Sequence, residues 1–126
     1  MVEEIQKKLQ NELDNFKTIQ KEYHKTLNLR QQLDGQLNEN KAVKNELELL
    51  KSDSEVYKLI GPVLVKMDLI ESKQNVTKRM EYISKELKRT EDIIESLDKK
   101  QDQHRETLQK LQQQFQQAQL KAALKA

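Results

Sequence analysis

The chain has 126 residues, of which 35% are hydrophobic, 4% aromatic and 35% charged, with 23 basic against 21 acidic side chains. So small an apolar fraction does not fill a compact globule, and so even a charge balance builds no field to gather nucleic acid or anionic lipid. The absence of cysteine removes disulfides and thiolate metal sites, and the longest apolar stretch, Leu59 to Val65, falls far short of the ~20 residues that cross a bilayer.

The N-terminus, "MVEEIQKKLQ", lacks the apolar core of a secretion signal, so the expectation is a soluble, cytoplasmic protein. Leu, Lys, Glu and Gln dominate, with only two glycines and one proline, a mixture that signals long helices or a coiled coil. The first predicted element is a helix over residues 1–51. A 3,4 spacing from Val2 passes through Ile5, Leu9, Glu12, Phe16, Ile19, Tyr23, Thr26, Arg30, Leu33, Leu37, Asn40, Lys44 and Leu47, and nine of these fourteen are apolar. A seam sustained over so many turns is the heptad signature. Gly35 within it costs up to about 1 kcal/mol relative to alanine and marks a weak point, a bend or a tolerated surface position.

At residues 54–68 the character changes to "VYKLIGPVLVKM", β-branched and aromatic around a Gly61-Pro62 pair that no continuous helix tolerates. Glycine at the first central position of a two-residue turn, with proline's negative φ at the second, predicts a β-hairpin. Ile60 then opposes Val63, Lys58 opposes Val65 and Val56 opposes Met67 on one face. Tyr57, Leu59, Leu64 and Lys66 share the other.

The third element is a helix over 69–122, started by Asp68 as its cap with Glu71 three residues on. From Lys73 the same spacing gives Val76, Met80, Ile83, Leu87, Thr90, Ile94, Leu97, Gln101, His104, Leu108, Leu111, Phe115, Ala118 and Ala122, eleven apolar of fifteen. Each helix is roughly 70 to 80 Å long at 1.5 Å per residue. Because the hairpin reverses the chain, the helices return side by side as an antiparallel coiled coil, pairing residues whose numbers sum to roughly 120, as Tyr23 with Leu97. An uninterrupted parallel dimer is disfavoured by about 3 kcal/mol or more for Gly-Pro inside a helix. The fold class is mainly α: two long helices joined by a central hairpin, in a single domain over 1–126.

A two-stranded hairpin that is oily on both faces is marginal in water, and its bare edges template further pairing. Val56, Tyr57, Leu59, Ile60, Val63, Leu64, Val65 and Met67 are therefore the candidate assembly residues, completed by hairpins of other chains in an inter-subunit sheet or barrel.

"VYKLIGPVLVKM" (56–67), "QLNENKAVKNELELL" (36–50) and "KRMEYISKELKR" (78–89) together resemble the β-type subunits of prefoldin, over nearly the whole chain. The hairpin with "ENKAV" ahead of it is the most specific part; Met67 departs from the Gln expected after "VLVK". The resemblance implies a hetero-hexamer of two α-type and four β-type subunits, this chain with three further β-type partners, whose hairpins build a double β-barrel. It also implies that unfolded or nascent clients such as actin and tubulin are held at the coiled-coil tips and passed to the cytosolic chaperonin without ATP.

In an antiparallel pair residues 1 to 16 lie beside roughly 104 to 122, so the candidate client-binding tips are Val2, Ile5, Leu9, Leu111, Phe115, Ala118, Leu120 and Ala122. Leu13 and Leu124 add apolar surface, and Gln109, Gln112, Gln113, Gln114, Gln116, Gln117 and Gln119 dilute the charge. For any one of these, closing the coiled coil competes with touching a client.

The remaining signals point away from chemistry. His24 and His104, the only histidines, fall some two turns apart under the pairing rule and share no metal; His104, Arg30, Asn40 and Lys44 read as polar interruptions of the seam that fix register. Asn75-Val76-Thr77 matches a glycosylation acceptor by chance, since Val76 is a seam residue. No phosphate-cradling glycine loop, His-Glu-x-x-His helix or nucleophile elbow occurs, so the expectation is no enzyme, no metal and no cofactor. The alternative to a client-holding subunit is a structural adaptor that assembles through its hairpin and holds no client.

Overall fold

In a computed structural model that describes residues 1–125, four elements follow in order: α1 (Val2–Leu49), β1 (Val56–Ile60), β2 (Val63–Met67) and α2 (Leu69–Lys125). The first helix closes two residues short of the expected 51. There the Leu50 N–H reaches back only to the Leu47 carbonyl, and the Ser54 N–H to that of Lys51, so the chain leaves the helix through tight turns. Ser52, Asp53 and Ser54 favour such local bonds over a helical ladder. The second helix runs past the expected 122 through the alanine-rich "LKAALK", strong helix formers that need no packing to extend it.

The hairpin has the expected register at all five pairs, Val56 with Met67 through Ile60 with Val63. Gly61 takes a φ of +57°, the only positive value among the described residues, and proline's locked negative φ follows it. That combination matches the twist of the flanking strands. At the start of α2 the Asp68 Oδ2 accepts the Glu71 N–H at 3.2 Å, so the cap read from the sequence is in place.

By internal contacts the chain divides into two units. In the unit of Leu29–Glu91, Leu33, Ile83 and Leu87 form a buried cluster with Leu37 packed on it, and Leu47 and Val76 are buried as well. Leu33 with Leu87 obeys the sum of 120. The polar seam residues look after themselves: Asn40 donates to the Gln36 carbonyl at 2.7 Å, and Thr90, only 3% exposed, to the Glu86 carbonyl at 2.7 Å. Arg30 departs from the expected seam. It is exposed and turns outward to Glu91 at 3.7 Å, a solvated pair of small energetic value.

The other unit joins Met1–Asn28 with the part of α2 from Asp92 onward. Ile94, Leu97 and Gln101 are its buried positions, and the α1 seam from Val2 to Thr26 is half-buried throughout. The Arg105 guanidinium lies 5.8 Å from the centre of the Phe16 ring. Among the described residues no side chain is fully enclosed, as expected of a core that is one seam between two helices.

Gly35 lies inside an unbroken α1, and a β-carbon added there meets nothing within 4 Å. Gly35→Ala is expected to raise stability by about 0.5–1 kcal/mol, because helix propensity changes and packing does not. Thermal unfolding followed by circular dichroism checks it; an unchanged or lower Tm refutes it.

Candidate assembly hairpin and helix tips

Alternation along β1 and β2 places Val56, Lys58, Ile60, Val63, Val65 and Met67 on one face of the hairpin and Tyr57, Leu59, Leu64 and Lys66 on the other. Only the base is covered. Val56 and Met67 are half-buried and line a recess with Val43, Leu47 and Val76. Towards the turn the oil lies open on both faces: Leu59 is 68% exposed, Leu64 64%, Val63 56% and Ile60 55%. Tyr57 and Val65 are also exposed, and the sheet has two strands, so each keeps one unpaired edge.

One carboxylate braces this hairpin from outside. Glu55 accepts the Tyr57 hydroxyl at 2.6 Å through Oε2 and meets the Lys66 ammonium at 3.6 Å through Oε1. Tyr57 and Lys66 are cross-strand partners, so Glu55 ties together a pair that the register already opposes. Sequence reasoning passed over Glu55, which stands outside the apolar alternation.

The tip residues separate into two groups. Val2, Ile5, Leu9, Leu111, Phe115 and Ala118 are half-buried along the seam, whereas Leu120 and Ala122 are exposed, as is Leu124. Leu9, Leu13, Leu108 and Phe115 line an open groove whose remaining walls are Gln6, Gln10, Gln112, Gln116 and Gln119. Gln6 and Gln10 belong to this surface although the sequence reading singled out only the glutamines of α2. They sit one position to the side of the seam residues Ile5 and Leu9, and that offset is the signal that finds them.

In the same unit two polar seam residues meet. His104 Nδ1 contacts Glu12 Oε1 across the helices, with both side chains largely shielded. His24 is placed elsewhere, edge-on to Tyr23 with ring centres 6.0 Å apart. Among the described residues no group of three or more His, Cys, Asp or Glu gathers where a metal could bind, and no helix is long and apolar enough to cross a membrane.

Paired long helices joined by an oily two-stranded hairpin suit the prefoldin family, and the chain belongs to it: the family model described as "Prefoldin subunit" matches residues 10–115. It is thus a chaperone subunit of the prefoldin type. It is 49% identical over 119 residues to prefoldin subunit 6 of Homo sapiens, an alignment covering 94% of this chain and 92% of that protein. It is 52% identical over 112 residues to the probable prefoldin subunit 6 of Drosophila melanogaster (89% and 90%), and 50% over 115 residues to prefoldin subunit 6 of Arabidopsis thaliana (91% and 89%). The crystal structure of the prefoldin beta subunit from Thermococcus strain KS-1 shares the fold, with a TM-score of 0.55 over 88% of this chain and 91% of that one at 23% identity.

The Glu55 carboxylate that accepts the Tyr57 hydroxyl favours the neutral phenol and raises its pKa above the ordinary 10.0; slight burial adds to this. A raised acid pKa means that the bond supports the folded hairpin below the unfolded pKa near 10 and is lost as pH climbs through the folded value. Spectrophotometric titration of the tyrosines is expected to show one late-titrating phenol, and Glu55→Gln to return it towards the others. An unaltered titration curve in the variant refutes the contact.

Proposed function

We propose that this chain is one of four β-type subunits that combine with two α-type subunits in a cytoplasmic prefoldin hexamer, holding unfolded or nascent proteins such as actin and tubulin. Their hairpins pool into β-barrels, and the clients pass to the cytosolic chaperonin without ATP. The observation that carries this is the hairpin. Leu59, Ile60, Val63 and Leu64 stand more than half exposed on a two-stranded sheet, and covering such side chains is worth about 1.5–3 kcal/mol each. Hairpins of neighbouring subunits supply both the missing apolar cover and partners for the bare strand edges.

Client capture belongs at the tips. The glutamine-walled groove with Leu9, Leu13, Leu108 and Phe115 offers apolar footholds without a strong field, and exposed Leu120 and Leu124 extend it. Each foothold is weak alone; several tips on one scaffold gain through effective concentration. The sequence contains no glycine-rich phosphate loop, in keeping with a holding activity that uses no nucleotide.

The adaptor reading has one observation in its favour: six of the eight tip residues are half-shielded in the seam and serve the coiled coil. Removing residues 1–9 and 112–126 from the assembled complex separates the two. The holdase reading expects an intact particle that suppresses aggregation of denatured actin less well; full suppression by the trimmed particle, or none by the intact one, sinks it.

For the hairpin, Ile60→Asp or Val65→Asp is expected to abolish the hexamer while leaving the chain's helix content nearly unchanged, because a carboxylate forced into a barrel core is costly. Native mass spectrometry with the partner subunits reads the outcome, and normal hexamer yield contradicts the burial assigned to these positions.

A further inference from the structure

Between residues 73 and 90, α2 carries Lys73, Lys78, Arg79, Lys85, Lys88 and Arg89 against only Glu81 and Glu86; the next stretch reverses sign with Glu91, Asp92, Glu95 and Asp98. A helix face that merely keeps a coiled coil solvated interleaves its charges. Here they are segregated. Among the described residues, none of Lys78, Arg79, Lys85, Lys88 and Arg89 has a carboxylate within ion-pair distance, although Asp34 and Glu39 stand on the α1 segment of the same unit. Lys78, Tyr82, Lys85 and Arg89, spaced 4, 3 and 4, form one exposed stripe.

Tyr82 is the second observation. It is 65% exposed among these cations and lies at the edge of an open, mainly apolar groove. Leu33 and Ile83 form the groove's floor, Gln36 one wall, and Lys78 and Arg79 its rim. A tyrosine there offers a ring face to an aliphatic side chain and a hydroxyl to a carboxylate.

We infer that the groove of Leu33, Tyr82 and Ile83, with the flanking stripe of Lys78, Lys85 and Arg89, is a docking site for an acidic segment of a partner protein that carries an aliphatic side chain. The aliphatic group sits against Tyr82 and Ile83 while carboxylates on either side meet the cations. From Lys78 to Arg89 the stripe runs about 16 Å, the reach of five or so residues of extended chain. Charge complementarity identifies the occupant: among the described residues no carboxylate lies within ion-pair distance of these cations, and the floor they border is apolar. A nucleic acid strand fits less well, because tracking one takes several stacking aromatics and a continuous basic groove, and this surface has one aromatic with Glu81 and Glu86 beside it. The site uses neither the hairpin nor the tips, so it stands apart from the proposed function.

The test is a fluorescence-anisotropy titration of the 126-residue chain with a labelled twelve-residue peptide of glutamate and aspartate around one central leucine. Saturable binding is expected, weaker at high salt. K78E/K85E/R89E is expected to reduce affinity about tenfold. Tyr82→Ser, or serine in place of the peptide's leucine, reduces it severalfold. All four positions are exposed, so circular dichroism should show unaltered helix. No saturable binding overturns the inference. So does binding indifferent to both Tyr82→Ser and loss of the leucine, which is charge attraction alone, or tighter binding of a twelve-nucleotide single-stranded RNA lost in K78E/K85E/R89E.

Discussion

Ten strand residues cannot bury themselves. The hairpin at the centre of this chain is apolar on both faces and bare along both edges, and its helices cover only its base at Val56 and Met67. Everything else in the molecule is arranged around that unmet demand. A two-residue Gly-Pro turn fixes the register, so the same apolar residues always face outward together. Glu55 holds the outer cross-strand pair, and the Asp68 cap starts α2 directly after the second strand.

The helices solve a different problem. A pair of helices has no room for an enclosed core, so their stability rests on a narrow seam in which residues such as Leu33, Ile83, Leu87 and Leu97 are shielded without being engulfed. This leaves the outward faces free, and the chain uses them unequally. In the unit that contains Met1–Asn28 the surface is diluted with glutamine around a few leucines and one phenylalanine, whereas in the unit of Leu29–Glu91 α2 gathers cations around Tyr82. Surfaces of such different character on one scaffold suit partners of different chemistry.

Most of this architecture was legible in the sequence because its determinants are local. The 3,4 spacing requires only that successive seam residues share a helix face, and every position it named is shielded except Arg30 and Ala122. The hairpin register follows from one dipeptide, since glycine takes the positive φ that the turn needs without steric cost. What the spacing could not give was the fate of polar residues on the seam. His104 was visible as an interruption and Glu12 as a position on the spacing, yet their meeting depends on an axial offset between helices that a sum of about 120 does not resolve. Arg30 escapes because its long side chain can reach Glu91 from outside the seam. The groove beneath Tyr82 was missed for a related reason: beside the seam residues Leu33 and Ile83 it is built from Gln36, Lys78, Arg79 and Tyr82, which lie lateral to the apolar stripe, where periodicity carries no signal.

The polar layers also decide how the helices come apart. Thr26, Asn40, Thr77 and Thr90 each donate to a carbonyl four residues back on their own helix. Parting the helices at these layers therefore orphans no donor, and the penalty there falls on the neighbouring aliphatic layers. The Glu12–His104 rung differs: its two halves belong to opposite helices, are largely shielded, and must be rehydrated when the helices separate there.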